Sequence, residues 1–210
     1  MTTERQQLVF AEVRAWRAWL EENHSSSDGI WLVLAKKGTL KPTSLTYEQA
    51  LEEALCFGWI DGQARSADEA TFSQGFTPRR KRSPWSKRNT DRAERLVAEG
   101  KMHASGIAEI DRAKLDGRWE AAYAGAASIE VPPNLTAALA GSPKARAMFG
   151  ALNSQNRYAI LYRIATARRS DTRARRVDQF VAMLARGETI YPQKGAVPLS
   201  KGVSRRPRKK

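Results

Sequence analysis

The residues with the most chemistry to offer lie between Cys56 and Asn89. One end of this stretch reads Cys-Phe-Gly-Trp-Ile-Asp-Gly, and the other runs from Phe76 through five cations, Arg79, Arg80, Lys81, Arg82 and Lys87, interleaved with Ser83, Pro84, Trp85 and Ser86. Guanidinium forks take phosphate or carboxylate bidentately. The pattern therefore offers capture of an anion, with Arg79, Arg80 and Arg82 as forks, Ser83 and Ser86 as donors, Lys87 and Asn89 beside them, and Trp85 as a stacking wall. Ser83-Pro84 reads as a cap and first helical turn whose free amides would face the same ligand. A solvated charged face that binds nothing in particular is the competing reading of this run.

Asp61 follows the apolar Phe57-Gly58-Trp59-Ile60 and precedes Gly62, next to Trp59 in the candidate site. Three roles are open to it: a pairing partner for Arg79 or Arg80, a desolvated carboxylate, or a general base over an arginine-bound substrate. No established catalytic motif accompanies it, since Gly-x-Ser-x-Gly, the Walker loop and Gly-x-Gly-x-x-Gly after a strand are all missing. His24 and His103 stand far apart with no Cys or acid cluster beside either, so they read as surface or capping imidazoles; neither a metal nor a cofactor is expected. The single cysteine, Cys56, excludes an intrachain disulfide. Between Leu55 and Phe57 it reads as a small buried hydrophobe in preference to a reactive thiol.

Net charge is +14, and half of it sits in the last residues: Lys194 to Lys210 holds seven cations and no acid. Such a tail attracts nucleic acid or anionic lipid without sequence preference. A second basic set, Arg157, Arg163, Arg168, Arg169, Arg173, Arg175 and Arg176, either extends an anion-binding surface or neutralises helix C-termini. The N-terminus is polar and no apolar run reaches the roughly 18 residues of a membrane span, which points to the cytoplasm.

These residues need elements to position them. Val9, Val13, Trp16 and Leu20 have helical spacing; Ile30 to Ala35 reads as a strand buried on both faces; Thr46-Tyr47-Glu48-Gln49 fits a capping box opening a helix that ends by Gly58. Trp59 to Gln63 and Thr71 to Thr77 read as extended, joined by a hairpin loop at Ser66 to Ala70. From Ser83 to Gly187 the pattern is helical, broken at Val131-Pro132-Pro133. The fold class is α+β: a small, mostly antiparallel sheet of about three strands with packed helices, then an all-helical subdomain. The expected domains are 1–130 (α+β with the basic edge), 131–192 (helical) and 193–210 (disordered basic tail).

Several of these segments carry a family resemblance: Gly29-Ile30-Trp31-Leu32, Tyr47 to Gly62, Phe76-Thr77-Pro78-Arg79-Arg80, Ser83-Pro84-Trp85-Ser86-Lys87-Arg88-Asn89, Ala165 to Arg176, and Met183 to Pro192. With them the chain, from about Trp16 to Pro192, resembles the YdeI or OmpD-associated family of bacteriocin-protection proteins. The resemblance implies an α+β domain followed by helices and a role in bacterial tolerance of bacteriocins or cationic antimicrobial peptides. It supplies no catalytic residues. A chain this basic repels cationic peptides, so protection would run through an anionic or phosphate-bearing ligand. The rival expectations are a non-specific nucleic-acid binder, through the tail, and a small enzyme using Asp61 as base.

Overall fold

The computed structural model describes residues 5–126, 128–167, 169–194 and 197–198. The chain divides into two compact units, Met1–Ala122 and Tyr123–Lys210.

Unit 1 is built on a four-stranded mixed sheet, β1 (Gln7–Val9), β2 (Ile30–Ala35), β3 (Trp59–Ser66) and β4 (Thr71–Pro78), in the order β1-β2-β4-β3. All six residues of β2 are buried, as its unbroken apolar run requires of an interior strand. β4 pairs antiparallel with both β2 and β3, the latter through the hairpin expected from the sequence. The edge strand β1 corrects the sequence reading. Val9 belongs to this strand, parallel to β2, and helix α1 begins only at Val13 (Val13–Asn23). A three-residue strand is held by its long-range partner, which local periodicity does not reveal.

Helix α2 (Tyr47–Cys56) opens on the capping box: Thr46 accepts from the Gln49 amide while the Gln49 side chain accepts from the Thr46 amide. Helices α3 (Lys87–Ala98) and α4 (Ala104–Leu115) complete the unit. Trp16 is fully buried, stacked on Trp19 at 5.4 Å, with its indole N–H donating to the Ala50 carbonyl at 3.1 Å. Around it Leu20, Leu32, Leu34, Leu51, Trp59 and Phe76 form one core. Such a tryptophan contributes both its large apolar area and a satisfied donor.

Unit 2 is helical, with α5 (Pro133–Ala140), α6 (Pro143–Gly150), α7 (Ser154–Ala165) and α8 (Ser170–Ala185), plus a short parallel pair, β5 (Glu188–Thr189) and β6 (Val197–Pro198). Proline opens α5 and α6 at positions where the missing amide would have had no helical partner. Leu135, Phe149, Ile160, Ile164, Val177 and Leu184 make a second, separate core. Of the tail expected from residue 193, only Gln193, Lys194, Val197 and Pro198 are among the described residues; the remainder lies outside them. No helix among the described residues is long and apolar enough to cross a membrane.

Candidate functional site

The basic edge between β4 and α3 does not form as the sequence suggested. Arg79 is 5% exposed; its guanidinium lies 3.5 Å over the Trp85 ring and donates to the Pro84 carbonyl at 3.2 Å. Trp85 is itself buried and packs on Trp119 at 4.8 Å. Fork and stacking wall thus pack on one another inside unit 1. Ser83 does not start a helix: its hydroxyl accepts from the Arg80 amide and its carbonyl from buried Arg118. The helix begins four residues later, capped by Ser86, which accepts from the Asn89 amide. Asn89 is buried in that first turn. Trp59 is core, donating to the His24 carbonyl at 3.1 Å.

Of the ten proposed site residues, Arg80, Arg82 and Lys87 reach solvent, and Lys87 pairs with Asp91 at 2.9 Å. The cations that follow are absorbed by α2: Arg88 and Arg92 both pair with Glu48, and Arg95 with Glu52. Unit 1 carries 19 Lys and Arg against 18 Asp and Glu, a net charge of only +1. Its local basic run therefore lies in a balanced field.

Asp61 faces Tyr47, the first residue of α2. Its Oδ2 accepts from the Tyr47 hydroxyl at 2.9 Å. Burial first, and then the Asp61 charge, push the Tyr47 phenol up to about 12 from its ordinary 10.0. A group whose pKa rises on folding keeps its full contribution below the unfolded value and loses it as pH climbs through the folded one. Unit 1 should accordingly lose stability between pH 10 and 12. Urea unfolding across that window should show the decline, and Tyr47→Phe should flatten it; equal slopes in the two proteins would contradict the assignment.

Cys56 is buried, and desolvation foremost raises its thiol to about 11, so it serves as core. The two histidines, 79 positions apart, meet with ring centroids 4.7 Å apart. His24 Nδ1 binds the Leu20 carbonyl and His103 caps α4, the capping use expected of them.

A cavity with convergent polar groups lies in unit 2. Tyr158 and Tyr162 stand one turn apart on α7, rings 5.7 Å apart, and Tyr123 meets Tyr162 edge-on at 4.9 Å. With Tyr191, Ser154, Gln155 and Arg163, the rings of Tyr158 and Tyr162 line an open cleft of about 450 Å³. That is the size of a small-ligand site. Burial, and then the neighbouring Tyr123 and Tyr162 phenols, raise the Tyr158 pKa, so its hydroxyl is a neutral donor and acceptor at physiological pH. Arg163 is steadied at the rim by donating to the Ala159 carbonyl at 2.9 Å. Tyr191 is fixed by Asn156, fully buried, which accepts from the Tyr191 amide at 2.8 Å and donates to its carbonyl at 3.0 Å.

Residues 128–187 match the family model described as "Bacteriocin-protection, YdeI or OmpD-Associated". Within unit 2, residues 128–187 are thus a YdeI/OmpD-associated domain. The family expected from about Trp16 to Pro192 is matched over residues 128–187, which take in α5 to α8. Residues 8–109 match a different model, a domain of unknown function (DUF8412), and it is there that Gly-Trp-Ile-Asp-Gly and Ser-Pro-Trp-Ser fall. No curated protein and no solved structure matches the chain. Tyr158, Tyr162 and Arg163 of the cleft lie within the YdeI/OmpD-associated match, with Tyr191 just beyond its end. The sequence showed the tyrosines only as a helical stripe; the i, i+4 pairing of two phenols followed by an arginine was the available signal.

Proposed function

We propose that the chain contributes to bacterial protection against bacteriocins or cationic antimicrobial peptides by holding an anionic ligand in the tyrosine cleft of its YdeI/OmpD-associated domain. The observation that carries this reading is the convergence of three tyrosine rings and Arg163 on one cavity. Ring faces take the apolar body of a ligand, phenol and amide groups its polar edge, and the guanidinium its negative head. Direct sequestration of cationic peptides is disfavoured by a net charge of +14, so the ligand is the anionic party in the process.

A protection assay tests this. A peptide-sensitive bacterial strain producing the full chain is compared with strains producing Tyr158→Ala/Tyr162→Ala or Arg80→Gln/Arg82→Gln. Two lost aromatic contacts of about 1 kcal/mol each weaken binding by roughly tenfold or more. Protection should fall with the tyrosine pair and persist with the arginine pair. The reverse order, with both proteins folded, would move the function to unit 1.

A further inference from the structure

We infer that the α7–α8 elbow of unit 2 binds the phosphate backbone of a nucleic acid, a role beyond the cleft and independent of its ligand. Residues 123–210 carry 17 Lys and Arg against 4 Asp and Glu, so nearly all of the chain's net charge belongs to this unit. Even without residues 195–210 the balance is 11 to 4. A domain so unbalanced projects a positive field that steers polyanions towards it.

The elbow gives that field a defined surface. Arg173 donates to the Ala167 carbonyl at 3.1 Å and Arg176 to the Arg163 carbonyl, holding both guanidinium groups at the C-terminus of α7. Backbone carbonyls fix these cations without neutralising them, and each guanidinium keeps further N–H donors. Arg175 is exposed with no ion pair among the described residues, and Arg169 has the exposed Asp171 as partner at 2.9 Å. A groove of about 540 Å³, lined by Pro132, Asn134, Ile164, Ala165 and Arg173, opens beside them. Arginines held in place before contact lose less freedom on meeting phosphate.

The partner is a nucleic acid and not a lipid surface. A helix that lies on a membrane buries an apolar face in it. The apolar residues Val177, Met183 and Leu184 of α8 are instead buried in the core, and Tyr191 is the one large exposed hydrophobic among the described residues of this unit.

Fluorescence anisotropy with a labelled single strand of about 20 nucleotides and with its duplex, read across salt concentrations, tests the inference, since each phosphate contact contributes about 0.9 to the log–log salt slope on the duplex and about 0.7 on the single strand. Full-length protein with Lys201, Arg205, Arg206, Arg208, Lys209 and Lys210 changed to Gln should retain binding. Adding Arg169→Gln and Arg175→Gln, exposed side chains outside the α7 cap, should reduce the slope by about 1.8 on the duplex and about 1.4 on the single strand, and weaken binding several-fold. Binding lost entirely with the six tail changes, or unaltered by the elbow pair, would overturn the inference. So would binding to phosphatidylserine vesicles in the absence of binding to either nucleic acid.

Discussion

Gly106→Ala is expected to destabilise unit 1 by about 3 kcal/mol or more, an overpacking cost at the upper end of its usual range. The ordinary expectation has the opposite sign, because alanine inside a helix is favoured over glycine by about 1 kcal/mol. The difference lies in what the new methyl meets. A Cβ on Gly106 would stand 2.1 Å from the Cys56 carbonyl oxygen and 2.8 Å from its carbon, both backbone atoms that cannot rotate away. Helix α4 is fastened at this point, with the His103 amide donating to the Cys56 carbonyl at 3.1 Å and the Ser105 hydroxyl to the Phe57 carbonyl at 3.0 Å. The same contact explains Gly58, which has φ +75° and whose added Cβ would lie 2.8 Å from Glu109 Cγ. Thermal and urea melts of Gly106→Ala should show a large fall in midpoint. A midpoint equal to or above the parent's would mean that α2 and α4 are not in this close contact.

Asn156→Leu should cost on the order of 2 kcal/mol, the penalty for leaving buried polar groups unpaired. Asn156 acts as a backbone clamp: one carboxamide both accepts from and donates to Tyr191, and its amide also reaches Gln193 Oε1 at 3.0 Å. Leucine matches its size and makes none of these bonds. The Tyr191 amide should then exchange with solvent much faster than in the parent, and the midpoint of unit 2 should fall. Because Tyr191 is a wall of the cleft, ligand affinity should fall along with it. Unchanged amide exchange at Tyr191 would show that another contact holds this segment.

What was legible in the sequence was local. The apolar run of β2, the capping box at Thr46 and the helices of unit 2 each announce themselves within about ten residues, where period and capping chemistry decide the outcome. Val9 shows the limit, since helical spacing with Val13 and Trp16 coexists with a strand set by pairing to Val33. Charge misled in a different way. Arg79 sits in a run that reads as solvated, yet Trp85 and the Pro84 carbonyl draw it inside, a cation–π contact that competes with hydration. Lys87, Arg88 and Arg92 look free until the acids of α2 and α3 are seen beside them. The cleft escaped notice because its third tyrosine arrives 29 positions after Tyr162, through a clamp that no spacing rule predicts.

We propose that ligands enter the tyrosine cleft and not the Arg79–Lys87 edge. The most direct test is a two-dimensional NMR titration of the full chain with phenyl phosphate, which joins an aromatic ring to an anionic head, using neutral benzyl alcohol as control. Saturable shifts are expected at Tyr158, Tyr162, Arg163 and Tyr191, stronger for phenyl phosphate than for the control. Saturable shifts confined to Arg80, Arg82 and Lys87, with the cleft silent, would contradict it.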